Sequence, residues 1–523
     1  MMKNIFTLTF FSLSISFSAN AQDGALDLTF NSTGKVLTSV GTFDDAAADI
    51  VVQEVDPNIS NYNSRKIIAV GHTYNGNDYD FLITRYNDNG SLDNTFGNNG
   101  IVSTDIANGS DYAKSVALQS DGKIVVAGFS YVGSKESFSL ARYKYNGTLD
   151  STFGSNGIVT TSVGAVGDNI FSIAIQDDGK IVAAGFTAIS SNYDFALTRY
   201  NANGTLDNSF DTDGIVTTNL GSGSDVVYEV VIQNDGKIVA AGHSFQGTNH
   251  DFAVVRYNTD GSLDNTFSTD GKVTTPITGA FNEYGTGVAL KSDGKIVVAG
   301  YSSNTFIDYV VVQYESDGDL DNTFGVNGAV YTDFGTSTDY GTAADVVLQG
   351  DEKILVGGYR NDGIKLNYSI VRYKTSGAVD STFGTDGIVT TDFNSNDDNA
   401  TSITLQNDGK ILLAGGSHDG NKNSVAIARY ENVDFTSVTT IKDEEISIYP
   451  NPFSSQAVIK SDKIFNGAQL LILNSLGQIV VRKENIQGNS IVIDRTELSN
   501  GLYFVSLIQS DETLLNTKVL IKE

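Results

Sequence analysis

The chain has no cysteine, which removes disulfides, thiolate metal sites and thiol catalysis together. It has no tryptophan either, so the commonest sugar-stacking side chain is missing, although 24 Tyr and 28 Phe remain. Only four prolines stand against 53 glycines, a balance that points to many tight turns rather than a Pro-rich linker protein. Positive charge is also scarce: 33 basic residues face 62 acidic ones, for a net charge of -29. Such a surface repels phosphate backbones and anionic lipids, so nucleic acid is not expected as a partner, and its plainest role is solubility. Beyond the N-terminus no run approaches 18 consecutive apolar residues, so no transmembrane segment is expected in the mature chain.

The chain does hold enough apolar residues, 40% of the total, for a packed core. It opens MMKNIFTLTFFSLSISFSANAQ. Lys3 supplies a positive start, Ile5 to Phe17 an apolar segment, and Ala19-Asn20-Ala21 a small-residue cleavage site. Residues 1–21 therefore read as a secretory signal peptide, too short to span a membrane.

A phrase close to Asn-Gly-Thr-Leu-Asp-Ser-Thr-Phe-Gly recurs seven times, with its Asp at Asp27, Asp93, Asp150, Asp207, Asp264, Asp321 and Asp380. A period near 57 residues signals a repeat architecture. One unit reads as four short strands: SVALQ, then KIVVAG after Asp121-Gly122, then FSLARY after a loop over Phe129 to Ser137, then TLDSTF after Asn146-Gly147. Both turns read as two-residue hairpins needing positive φ. In unit six, Gly350 is expected to take the turn position, because Glu352 at positive φ would be strained. The apolar second strands suit sheets packed on both faces. The fold class is all-β, a seven-bladed β-propeller over residues 22–436. An unpaired first strand, Ala25 to Phe30, is expected to complete the last blade after Val425 to Tyr430 and leave no open edge. Residues 54–64 read as an insertion in the first unit.

With their DGK-I-V-x-A-G, RY and LDxTF elements, these units resemble the delta-60 repeat of bacterial exported proteins and, more loosely, the NHL-type blade. Gln313 and Ser209 depart from the usual Arg and Thr. The resemblance implies a propeller and no defined activity. Residues 437–446 read as a linker. Residues 447–523, with Tyr449-Pro450-Asn451-Pro452-Phe453, Asn474 to Gln478, Leu498 to Tyr503 and Lys518 to Lys522 in order, resemble the type A C-terminal sorting domain of the type IX (Por) secretion system of Bacteroidota. That resemblance implies a small β-sandwich handled by the type IX machinery. It also implies passage across the outer membrane, removal of the tail, and a place at the cell surface or outside the cell. Seven acidic and seven basic residues occur from Ser447 on, so the negative excess lies upstream.

No catalytic constellation stands out, and the chain is not expected to be an enzyme. His72, His243, His250 and His418 form no HExxH motif and read as surface or loop residues. The seven repeated aspartates could be calcium ligands, but they lack EF-hand spacing. The simpler reading makes each a turn cap or the partner of the RY arginine, Arg142 for Asp150. No cofactor is expected, with calcium the one ion to consider. Both Gly turns should share one nearly invariant rim. The variable opposite rim is the expected binding face, led by His72, Phe129, Phe186, His243, Tyr301 and Tyr359. The leading expectation is a monomeric surface module binding an extracellular glycan or protein. A structural surface protein without a discrete ligand is the alternative. A propeller hydrolase or lyase would need unique carboxylates in the central channel.

Overall fold

The computed structural model describes residues 23–53, 65–277, 281–303, 307–334, 339–394, 396–432, 446–449, 455–473, 479–495, 498, 501–509 and 512–521. The expected signal peptide, the insertion, nearly all of the linker, the Pro-Asn-Pro-Phe segment and the Asn474–Gln478 turn lie outside them. The chain divides into two units, Met1–Val433 and Asp434–Glu523.

Among the described residues, the first unit forms seven four-stranded antiparallel sheets. Blade 2 shows the pattern, with Asp111–Leu118 innermost, then Ile124–Val132, Lys135–Tyr143 and Ile158–Thr161. Residues Ile124 to Gly128 are all buried, because neighbouring blades cover both faces of the second strand. Blade 7 joins Asp398–Leu405, Ile411–His418 and Asn423–Tyr430 to Lys35–Thr38 from the other end of the unit, with Lys35 opposite Ala428 and Thr38 opposite Val425. The ring therefore closes as expected, and Lys35–Thr38 covers the edge that Asn423–Tyr430 would otherwise leave bare at the seam.

Three local expectations are corrected. First, the fourth strand is not LDSTF, and the closing strand is Lys35–Thr38 rather than Ala25 to Phe30. Asp150 Oδ1 accepts the Thr152 N–H at 3.2 Å and its hydroxyl at 2.8 Å. That Asx turn bends the segment, so Leu149 makes only a single bridge to Tyr143 before the strand begins beyond Gly157. Second, the Gly hairpins have three-residue loops. Gln119 N–H donates to Lys123 O at 2.9 Å and Gly122 N–H to Gln119 O at 2.9 Å, with Gly122 at φ 81°, the type I turn plus left-handed residue. Third, Glu352, not Gly350, takes that left-handed position in blade 6, at φ 63°. The ladder on either side fixes the turn's frame, and Glu352 must fill it.

The innermost strand carries a β-bulge that sequence reading missed. In blade 2, Ala113 pairs with Gly128 and Ser115 with Ala127, leaving Lys114 extra. The bulge brings the Tyr112 carbonyl so close that a Cβ on Gly128 would lie 1.9 Å from it, which explains the glycine of the KIVVAG element.

In blades that carry it, the RY dipeptide ties one blade to both neighbours. Tyr143 Oη donates to Thr104 Oγ1 of blade 1 at 2.8 Å, while Arg142 Nη1 donates to the Ala202 carbonyl of blade 3. Among the described residues, the second unit forms a five-stranded antiparallel sheet built on Gln456–Leu473, whose register breaks near its middle. Both of its halves feed one core, through Ala457, Ile459, Leu470 and Ile472, with Val505 and Leu507 opposite. Among the described residues, no helix is long and apolar enough to cross a membrane.

Candidate functional site

The two rims are built differently. On the Gly-turn rim each repeated aspartate is held by its own blade's basic residues. Asp150 Oδ2 accepts from Arg142 Nε and Nη2 at 3.0 Å each, with Lys123 Nζ 3.8 Å away. Arg142 in turn lies over the Phe153 ring at 4.6 Å. Asp27 meets Arg429 and Lys410 across the ring seam in the same way. Burial alone would raise the Asp207 carboxyl. The bonds from Ser209 and the charge of Arg199 outweigh it and bring the group down to about 2. In blade 5, Gln313 replaces the arginine and donates to Asp321 at 2.6 Å, while Lys295 closes to 2.7 Å. Every such carboxylate has its cation already, which accounts for these seven aspartates without calcium.

The opposite rim carries aromatic rings in two arcs. One crosses blades 1 and 2: His72 meets Tyr79 and Tyr112 at 5.2 and 5.3 Å, and Tyr112 stacks on Phe129 at 5.1 Å. The other crosses blades 3 to 5. Phe186 meets Phe171, Phe171 meets Tyr228 at 4.9 Å, Tyr228 meets His243, and His243 meets Tyr284, which stacks on Tyr301 at 5.0 Å. Five of the six rim positions singled out from sequence fall in these arcs. Tyr359 stands between Thr342 and Tyr368 in blade 6. All six lie within second strands rather than at the start of loops. The strands run further than expected, so the blade 2 loop is only Gly133 and Ser134.

The histidines are not all surface residues. His243 is buried and His72 half-buried. Burial, reinforced by Lys114, lowers His72 to about 4, and burial with His250 lowers His243 to about 3. Both rings are therefore neutral at pH 7 and pack among the other rings of the arcs. His418 accepts the Gly420 N–H at 3.0 Å on the end of its strand.

The innermost strands line a central cavity of about 750 Å³, and Phe171 and Tyr228 carry the second arc into it. Sequence reading missed both. The bulge column, which runs Ala48, Lys114, Phe171, Tyr228, Thr286, Ala344 and Thr401, is the signal that could have found them.

The next column brings three acids to the channel wall: Asp49, Glu229 and Asp345. Asp49 accepts the Val116 N–H at 2.8 Å, Asp345 the Ile403 N–H at 3.0 Å, and Glu229 the Val288 N–H, each from the next blade. In blades 2 and 3 the equivalent residues, Ser115 and Ser172, accept the matching N–H of the next blade, from Ile173 and Val230. Ser402 Oγ lies 2.8 Å from Asp49 and 3.0 Å from Asp345. Burial raises all three carboxyls, with mutual repulsion adding to it for Glu229 and Asp345, and Asp345 reaches about 6.

The family described as a domain of unknown function (DUF5122) beta-propeller matches residues 64–96, 119–153, 176–210, 233–267, 291–324, 349–383 and 406–434. A secretion system C-terminal sorting domain matches residues 447–522. The chain belongs to the DUF5122 β-propellers and ends in this sorting domain. The domain marks it for type IX secretion, so the DUF5122 propeller is secreted or held at the cell surface.

No curated protein matches the chain. Among solved structures, PorZ, a bacterial surface component of the type IX secretion system of Porphyromonas gingivalis, is 12% identical with a TM-score of 0.37; the match covers 88% of this chain and spans 58% of PorZ. The periplasmic gluconolactonase of Pseudomonas aeruginosa is 12% identical over 87% of this chain and 99% of its own, with a TM-score of 0.41. An ulvan lyase is 13% identical over 76% and 95%, with a TM-score of 0.43.

Proposed function

We propose that this secreted propeller is a non-enzymatic binding module that holds an uncharged extracellular glycan on the aromatic rim. The observation that carries the reading is the second arc, Phe186–Phe171–Tyr228–His243–Tyr284–Tyr301, which runs from the variable rim into the channel mouth. Ligand sites are concave, largely apolar and aromatic, with a few polar groups to orient the ligand. Asp49, Glu229 and Asp345 supply polarity at the wall, and each already takes a backbone N–H from the next blade. That duty, shared with Ser115 and Ser172, supports a scaffold role over acid–base chemistry. A net charge of -29 disfavours polyanionic sugars.

The test is a glycan array probed with the full chain and with Phe171→Ala/Tyr228→Ala. Binding of neutral glycans that falls at least about tenfold in the variant supports the reading. A blank array, or binding that the variant leaves intact, refutes it. In either case a protein ligand or a purely structural role takes its place.

A further inference from the structure

Each blade-to-blade connection gathers three positions on the variable rim: one near the start of a third strand, one just after the fourth strand, and one opening the next innermost strand. Between blades 1 and 2 all three are acidic. Carboxylate oxygens of Asp80, Asp105 and Asp111 lie within 4.8 Å of one another.

The equivalent positions elsewhere differ. Between blades 2 and 3 they are Ser137, Ser162 and Asp168, with Lys135 Nζ 3.3 Å from Asp168. Between blades 3 and 4, Asn219 donates to Asp194 at 3.1 Å. Between blades 4 and 5 Pro276 stands in the middle, and between blades 6 and 7 Lys365 lies 2.6 Å from Asp392. In blade 1 the position of Lys135 and Lys365 is Asp78, so an acid stands where a counter-ion would be.

A second observation concerns one atom. Asp80 is 7% exposed. Its Oδ2 accepts from Ser103 Oγ at 3.0 Å and Asn75 Nδ2 at 3.1 Å, while Oδ1 is buried with no hydrogen-bond donor. Leaving a buried carboxylate oxygen unsatisfied is costly. Asp111 Oδ2 takes the Ile106 N–H and Asp105 Oδ1 the Asn108 N–H, each at 2.6 Å. One oxygen of each aspartate thus stays outside these bonds.

We propose that Asp80, Asp105 and Asp111 hold one divalent cation, calcium, between blades 1 and 2. An all-oxygen donor set suits calcium, magnesium or manganese rather than zinc or copper. Three carboxylates from three separate segments suit the flexible geometry of calcium better than the strict octahedron of magnesium. Asp105 is exposed, so water can complete the shell. Tyr79 and Tyr112, the chain neighbours of Asp80 and Asp111, pack ring to ring at 5.1 Å. The ion therefore fastens one arc of the rim, whether or not that rim takes a glycan.

The chain has no tryptophan, so Tyr79 and Tyr112 can serve as local sensitisers of terbium luminescence. The full chain, freed of metal by chelation, is titrated with terbium and then with calcium, and calorimetry gives the calcium stoichiometry. One saturable calcium per chain, binding at or below about 1 mM, is expected to displace the terbium and raise Tm. Asp105→Asn alters an exposed side chain and should fold normally. It is expected to weaken calcium at least about tenfold and to abolish the Tm rise, and Asp80→Asn should do the same. No saturable calcium binding by the native chain, or binding that Asp105→Asn leaves unchanged, overturns the proposal.

Discussion

Removing one repeated aspartate tests whether the Gly-turn rim is scaffold. In Asp150→Ala, Arg142 keeps its place with its side chain only 5% exposed and loses the acceptor of both its Nε and Nη2 bonds. Thr152 loses its cap as well. Stripping one partner from a buried pair costs about 3–5 kcal/mol. Blade 5 supplies a natural control, because Gln313 there replaces the arginine and Lys295 moves in to 2.7 Å. Arg142→Gln should copy that arrangement. It gives up the bond to the Ala202 carbonyl and the stack on Phe153, about 2–3 kcal/mol together. An unfolding entropy of about 2.1 cal/mol/K per residue over roughly 400 residues gives about 0.85 kcal/mol/K. The expected falls in Tm are about 4–6 °C for Asp150→Ala and about 2–4 °C for Arg142→Gln, read by calorimetry. A fall under about 1 °C for Asp150→Ala, or a larger fall for Arg142→Gln, would refute the scaffold reading.

Other perturbations address the channel, the strained turn and the ring seam. Asp345 reaches about 6 in the fold against an ordinary 3.8, so the folded chain holds that proton more tightly. Its stabilising effect is complete below about pH 4 and lost as pH rises through 6. Asp345→Asn should therefore raise the unfolding free energy read from urea melts at pH 8 by about 1–3 kcal/mol, and change little at pH 4; equal effects at both would sink the assignment. Glu352→Gly relieves a left-handed residue at φ 63° and should stabilise by about 0.5–1 kcal/mol, less what its bonds with Ser292 contribute. Deleting residues 23–38 bares the edge of Asn423–Tyr430, and light scattering should then show self-association; a well-behaved monomer would show that the seam does not need its strand.

Sequence exposed the ring because the period is long, regular and anchored by glycines. It also exposed the closure, since an unpaired element at one end matched a missing one at the other. The LDSTF segment misled for a physical reason. Leu149 and Phe153 stand four apart, on one face of any strand with Ser151 between them, but Asp150 spends its carboxylate on the Thr152 N–H, and a local side-chain bond of that kind competes with the ladder. The bulge was hidden because inserting one residue changes which face a side chain occupies without changing composition. Five rim aromatics were legible as variable positions, but Phe171 and Tyr228 were not, since only the bulge turns them toward the channel.

The repeat therefore sorts its own residues. Columns that stay nearly constant, Arg–Tyr and Leu–Asp, spend their polar groups on neighbours, as blade 2 shows: Tyr143 reaches back to Thr104, Arg142 forward to Ala202, and Asp150 is shared between Arg142 and Thr152. A residue so committed has nothing left to offer a ligand. Function must then lie in columns free to differ, and two such columns meet on the rim opposite the Gly turns. One is the bulge column, which places Phe171 and Tyr228 beside Lys114 along the channel wall. The other is the junction column, where a single joint of the ring gathers Asp80, Asp105 and Asp111. A ring of near-identical blades can recognise something only by breaking its own symmetry, and the breaks that gather aromatic rings and carboxylates lie on that one rim and the channel wall beneath it.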